Sequence, residues 1–391
     1  MARPTKIGVT GATGQVGLRL LKHLRAGGLT AIAAVRNPLG AALCDAAVPG
    51  CEIRVGSLTP DDDRQHVLDD CDVIINCAIE ASGGIPRQAY TRNRQLLDGL
   101  LRAKALKWLV HFSTVAVYGE VIVEYDDADR ARAHPRPTSE YGRSKLDVER
   151  HAVRRTRQRG VTCTILRLGH VYGAGIARSR EIVELARHPA FRLPFGGRLP
   201  SNAVHADALG AAMLGLMHDG PRHEINGVAE PADTWRDVFD WHTSGLGLPA
   251  VADMSEADSI AKRRQLVAGS PLGDAVAWAK GLPLKSLVRS PATFDLALRV
   301  LVRTPSSITR RVADINRRTG ARAQIARAHE SSGAGPLASI YFSEGMPGPF
   351  VDLPSMPANG LGSEAERVRE LQAWYDLWRR PQMRAAMARW A

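Results

Sequence analysis

Short apolar runs alternate with longer amphipathic stretches through residue 170 of this chain. Ile7-Gly8-Val9-Thr10 predicts a buried strand, and Gln15 to Arg25 a helix. Ala31 to Val35, Glu52 to Val55, Asp72 to Asn76, Trp108 to Phe112 and Thr162 to Leu166 are further strand candidates. Helical spacing fills most of the gaps, notably 92–104 and 140–158. Strands that are apolar along nearly their whole length, separated by helices, are what a parallel sheet covered on both faces requires.

From residue 176 the pattern loosens, with Pro189, Pro194, Gly196, Gly197 and Pro200 as punctuation. A helix entered through Asp207 is expected over 203–217, and another over 235–246. Residues 333–362 are rich in Gly, Pro and Ser and read as a loop-rich wrap. Ser363-Glu364-Ala365-Glu366 opens a last helix, where Leu371, Trp374, Leu377 and Trp378 recur at packing intervals and Pro381 acts as a breaker. No internal repeat is visible. The division expected is 1–175, 176–330 with some segments returning to the first unit, and 331–391 as a loop-rich and helical extension.

A length of 391 residues with 45% hydrophobic positions can bury a large core. The net charge is +12, and residues 251–391 hold 20 Lys/Arg against 13 Asp/Glu. The basic excess is densest around 289–327, where a solvated basic face is the plain reading. A basic amphipathic element over 286–330 docking on anionic lipid is the sharper alternative, against which Asp295, Asp314 and the prolines weigh. Nucleic acid is not expected, because no recognised binding module accompanies the charge. The five cysteines (44, 51, 71, 77 and 163) form no CxxC pair, which argues against a disulfide framework or a metal site. Residues 1–6 offer no apolar stretch suited to a signal peptide, and no apolar run reaches spanning length, so a cytoplasmic location is expected.

Gly11-Ala12-Thr13-Gly14-Gln15-Val16-Gly17 follows the first strand and opens the first helix. Gly11 would permit the tight turn, Gly14 the approach of a pyrophosphate, and Gly17 close helix–strand packing. The helix N-terminus adds unpaired N–H donors and a favourable dipole. These residues predict a dinucleotide site. Arg36 ends the second strand, where an acidic residue would hold a ribose 2′-hydroxyl; an arginine suits a 2′-phosphate, which favours NADP and leaves NAD possible.

Tyr141-Gly142-Arg143-Ser144-Lys145 places Tyr141 and Lys145 one helical turn apart. A tyrosine ionises near pH 10, and a neighbouring ammonium favours its phenolate. Trp108 to Thr114 leads into Val115-Ala116-Val117-Tyr118-Gly119, and Leu166-Arg167-Leu168-Gly169-His170-Val171-Tyr172-Gly173 and Val204-His205-Ala206-Asp207 follow later. Together these motifs, over residues 5–230, resemble the extended short-chain dehydrogenase/reductase family, with its epimerases and dehydratases.

The resemblance implies a Rossmann-type doubly wound parallel α/β sheet, a smaller C-terminal α/β substrate domain and a helical C-terminal extension. It implies an NAD(P)-dependent oxidoreductase or epimerase acting on a sugar-like or hydroxy/keto substrate. A nucleotide sugar, or a substrate like those of hydroxysteroid and flavonol reductases, would both fit; a dinucleotide-sensing protein without catalysis is the alternative from another class. Thr114 would hydrogen-bond the substrate oxygen, with Ser113 a second candidate. Tyr141 would be the general acid/base, Lys145 would bind the nicotinamide ribose, and Asn93 would support the site. Ser57, Leu58, Ala78 and Leu168 would line the cofactor, His170 would lie near its nicotinamide end, and a homodimer is implied.

Three departures stand out. Ser57 occupies a position where the family usually has an adenine-contacting Asp. Val115 and Ala116 follow Thr114 where 4,6-dehydratases have acids. Ser201 stands where many nucleotide-sugar epimerases have a diphosphate-binding Arg; Arg198 is a nearby substitute.

Overall fold

The computed structural model describes residues 5–58, 67–79, 86–118, 135, 137, 140–229, 233–268 and 363–379. Seven parallel strands form the main sheet: β1 (Lys6–Thr10), β2 (Thr30–Val35), β3 (Glu52–Val55), β4 (Val73–Asn76), β5 (Trp108–Thr114), β6 (Thr162–Leu168) and β9 (Glu224–Val228). Their order is β3-β2-β1-β4-β5-β6-β9, so the chain winds outward from β1 in both directions. A ligand crevice opens at the carboxyl edge where such winding reverses, between β1 and β4.

Helices cover both faces. α1 (Gln15–Ala26) and α6 (Ala206–Asp219) lie on one, against Ile7, Val9, Val110 and Phe112. α3 (Pro86–Leu100) and α4 (Glu140–Arg159) lie on the other, where Leu97, Val148 and Ala152 pack against Ile74 and Leu109. Alternate residues of one strand thus feed two cores, which is why the strands read as continuous apolar runs. α2 (Pro38–Ala47) begins after Asn37, whose Oδ1 accepts the Gly40 N–H at 2.9 Å.

A smaller layer follows β6. It holds β7 (His170–Tyr172), α5 (Ala177–Ala186), β8 (Ala203–His205), α7 (Trp235–Gly245) and α8 (Glu256–Ala268). Its core is Tyr172, Ile182, Leu193, Trp235 and Phe239. The helix expected over 203–217 divides here: 203–205 pairs with β7 as a strand, and the helix begins at Ala206. His205 causes the break, because its Nδ1 accepts the Asp207 N–H at 3.2 Å as an N-cap. β9 returns to the main sheet as an edge strand.

The last helix, α9 (Glu364–Trp378), opens with the Ser363/Glu366 capping box that its sequence suggests. Leu371 is fully buried against the α7 end, and Leu377 is exposed. The basic stretch 286–330 and the Gly/Pro/Ser-rich 333–362 lie outside the described residues. No helix among the described residues is long and apolar enough to cross a membrane.

Candidate active site

The glycine loop turns at the carboxyl end of β1. Gly11 has φ +66°, and a Cβ on it would meet the Ala78 nitrogen at 2.7 Å. A Cβ on Gly17 would lie 2.3 Å from the Gly11 carbonyl oxygen. Gly14 is the α1 N-cap, with no side-chain cap and no acidic residue in the first turn. The helix therefore presents Gln15, Val16 and Gly17 N–H groups that its own backbone leaves unpaired. These features fit a pyrophosphate. The Gln15 side chain is engaged elsewhere, accepting the Ala177 N–H at 2.8 Å from α5. Thr13 lies against Gly40 of α2.

Around this loop, Arg36 follows β2 directly and is exposed. Ser57 is exposed beyond β3, while Leu58 is buried in the α3/α4 core. Ala78 follows β4, its N–H donating to Asn76 Oδ1 at 3.2 Å. Leu168 closes β6 as the register partner of Thr114. Asn93 is buried on α3.

Tyr141 and Lys145 share a face of α4 but differ in environment: Tyr141 is 49% exposed and Lys145 6%. Lys145 Nζ donates to the Phe112 carbonyl oxygen of β5 at 2.6 Å, which pins α4 to the strand bearing Ser113 and Thr114. Burial pushes the ammonium down to about 8, opposed by the negative charge of Glu149. It remains protonated at neutral pH and keeps two further N–H donors. Thr114 Oγ1 accepts the Ala116 N–H at 3.2 Å, which leaves its hydroxyl hydrogen to donate outward. Ser113 is buried, and its Oγ has no partner among the described residues. Cys77, desolvated beside the sheet edge, is pushed up to about 12 and stays a thiol.

Several supporting residues escaped sequence reasoning. Gly142 is one: a Cβ there would sit 2.2 Å from the Ala116 oxygen, so the small residue lets α4 approach the 3₁₀ turn Val115–Tyr118. A glycine directly after the tyrosine was its only local signal. Glu149 and Arg167 form a buried pair at 2.7 Å, and Arg167 also donates to Tyr118 Oη at 2.8 Å. Asn76 and His111 form a third group, linked at 3.0 Å.

Beyond β6, His170 packs on Trp235 with ring centroids 5.5 Å apart, and burial pushes it down to about 3. Ser201 is fully buried; its Oγ donates to the Asp233 carbonyl and accepts the Ala203 N–H, both at 3.1 Å. Arg198 is exposed, 3.9 Å from Glu256. Asp207 accepts from His23 at 2.9 Å and lies 3.5 Å from Arg19, tying α6 to α1. No cluster of metal-ligating residues occurs among the described residues.

The doubly wound parallel sheet, the glycine turn at its switch point and the Tyr/Lys helix over the same edge are the features that resemble the extended short-chain dehydrogenase/reductase family. Residues 7–188 match the model of the NAD dependent epimerase/dehydratase family. Among curated proteins it is 27% identical over 227 residues to a 4-hydroxy-2-methyl-3-oxo-4-farnesyl-3,4-dihydroquinoline-1-oxide ketoreductase from Stigmatella aurantiaca, an alignment covering 56% of this chain and 66% of the relative. It is 30% identical over 179 residues to a dTDP-6-deoxy-L-talose 4-dehydrogenase (NAD(P)(+)) from Kitasatospora kifunensis, covering 44% of this chain and 54% of the relative. The chain thus spans just under two thirds of the first relative's length and about half of the second's.

Solved structures share the fold. A UDP-glucose 4-epimerase from Thermotoga maritima, solved with UDP-glucose, superposes with TM-score 0.50 at 19% identity over 65% of this chain and 88% of its own. A UDP-glucuronic acid 4-epimerase from Bacillus cereus, solved with NAD, gives TM-score 0.50 at 20% identity over 64% and 86%.

Proposed function

We propose that this chain is an NAD(P)-dependent enzyme that moves a hydride and a proton at a hydroxyl- or carbonyl-bearing carbon of a small molecule. The carrying observation is the pairing of solvent-facing Tyr141 with buried Lys145, anchored to the strand that ends in Thr114. The names of the curated relatives, a ketoreductase and a sugar 4-dehydrogenase, support the same chemistry.

The nicotinamide, when bound, supplies or accepts the hydride. Gly11, Gly14 and the α1 N-terminus would hold its pyrophosphate, Arg36 a 2′-phosphate, and Lys145 the nicotinamide ribose. Ala78 and Leu168 would line its path, with Ser57 and Leu58 at the adenine end. Thr114 donates to the substrate oxygen and polarises it. Tyr141 gives that oxygen its proton in reduction, or removes it in oxidation, and the Lys145 charge makes the phenol the stronger acid.

The substrate this site favours lacks a diphosphate. Ser201, at the position of the epimerases' arginine, has both hydrogen-bonding roles of its hydroxyl engaged within the fold. Reduction of a ketone, with release of the oxidised cofactor, is therefore preferred over epimerisation of a nucleotide sugar.

A titration with NADPH and NADH, followed by nicotinamide fluorescence, tests the base of this reading. The expected result is tighter NADPH binding, weakened about tenfold or more by Arg36→Asp, with turnover in a ketone screen abolished by Tyr141→Phe. Failure to bind either nucleotide would overturn it. Cofactor that stays bound through turnover, without net NADPH consumption, would move the reading to epimerisation.

A further inference from the structure

A row of polar side chains crosses the sheet beneath α4. Thr10, Asn76 and His111 are register partners on β1, β4 and β5. They follow Gly8, Ile74 and Leu109 by two residues on each strand, so they share the face covered by α3 and α4.

The hydrogen bonds fix every orientation in the row. Thr10 Oγ1 donates to Asn76 Oδ1 at 2.7 Å, and the Ala78 N–H donates to the same oxygen. The amide nitrogen must then face His111 Nδ1, 3.0 Å away. An amide NH₂ only donates, so His111 Nδ1 accepts and the single ring hydrogen sits on Nε2. Burial, reinforced by the Lys145 charge, holds the ring well below its ordinary range and therefore neutral.

That Nε2–H is buried and without a partner among the described residues, and so is Ser113 Oγ, two residues along the same face. Lys145 Nζ bonds the carbonyl of Phe112, the residue between them. A buried donor without a partner is costly, and two such atoms flanking an ammonium's anchor point to a shared small polar guest.

We propose that His111 and Ser113 hold a buried water against the Lys145 ammonium, which makes His111 a positioning residue for the Tyr141/Lys145 pair. The inference rests on the reading of that pair as the reactive one. The water accepts from His111 Nε2–H and from Lys145, and donates to Ser113 Oγ. Glu149 is the one anion acting on Lys145 among the groups that perturb it, and it is committed to Arg167; Cys77 is a thiol and His111 is neutral. The charged form of Lys145 therefore depends on neutral acceptors, namely the Phe112 carbonyl and the water. Without the water the lysine gives up its proton more readily, and Tyr141 ionises at higher pH.

The test is an ultraviolet difference titration of the Tyr141 phenolate in the full chain, with Tyr141→Phe as the blank. His111→Leu and Ser113→Ala are expected to raise its midpoint by about one pH unit, leaving about tenfold less phenolate at neutral pH. His111→Gln can accept from Asn76 and donate onward, so it should stay near wild type. A midpoint that His111→Leu leaves unmoved, or that Gln and Leu shift equally, overturns the proposal. If the Leu variant fails to fold, Ser113→Ala decides, and an unmoved midpoint there overturns the proposal as well. The titration needs neither cofactor nor substrate, so an enzyme that turns over nothing but shows these shifts would refute the proposed reaction and leave the water site standing.

Discussion

At the scale of single residues, the site depends on charges and hydroxyls taken out of water and then satisfied. Glu149 and Arg167 are both nearly fully buried, and the Tyr118 hydroxyl accepts a further guanidinium N–H. Removing one partner leaves an uncompensated buried charge, which costs about 3–5 kcal/mol. Glu149→Gln should therefore lower the unfolding free energy by that amount in urea titration, whereas Tyr118→Phe should cost about 1–2 kcal/mol. The sequence displayed Tyr141 and Lys145 because one helical turn separates them. It did not display the Glu149–Arg167 pair, which lies 18 positions apart and forms only when α4 docks on β6.

Among elements, α4 is held by one small residue and one long one. Gly142 admits the 3₁₀ turn to van der Waals contact, and Lys145 reaches the Phe112 carbonyl. Gly142→Ala adds a methyl where 2.2 Å separates its carbon from the Ala116 oxygen, so the helix must shift away from the Thr114 loop. The expected result is a fall in kcat of about 100-fold for the proposed reaction, with NADPH affinity changed less than about threefold, since the loss is one of alignment. The last helix acts differently. α9 joins the layers through Arg19–Glu370 at 2.5 Å, Arg187–Tyr375 at 2.9 Å and the buried Leu371. Its capping box and its Leu371 position were legible in sequence. Its docking place was not, because its partners lie on α1, α5 and α7.

For the whole molecule, Lys145 links the proposed reaction to stability. Its amine holds a proton less tightly in the folded chain, at about 8, than in the unfolded chain, at its ordinary 10.5. The unfolded state thus binds more protons between those values, and this group's contribution makes stability rise with pH across that window. Below pH 8 the full cost of burying the charge is present. Lys145→Met should accordingly melt at a higher temperature than wild type at about pH 7, and the gap should close toward about pH 10 in paired thermal scans, while the variant loses turnover. A gap that widens with rising pH would contradict this account.

The sequence by itself determined what depends on short spacing. Continuous apolar runs and helical spacing marked the strands through β6 and the helices between most of them, and the seven-residue loop 11–17 set a turn in which Gly11 and Gly17 leave no room for a Cβ. The tertiary structure decided what depends on partners far apart in the chain. It split residues 203–217 into a strand and a helix, because β8 had β7 to pair with. It brought 224–228, a weakly apolar stretch, to the sheet edge beside β6. It engaged Ser201 with Asp233, and it set Thr10, Asn76 and His111 in one row. A parallel sheet makes neighbours of strands whose residues are tens of positions apart, and no local pattern encodes which side chains then meet.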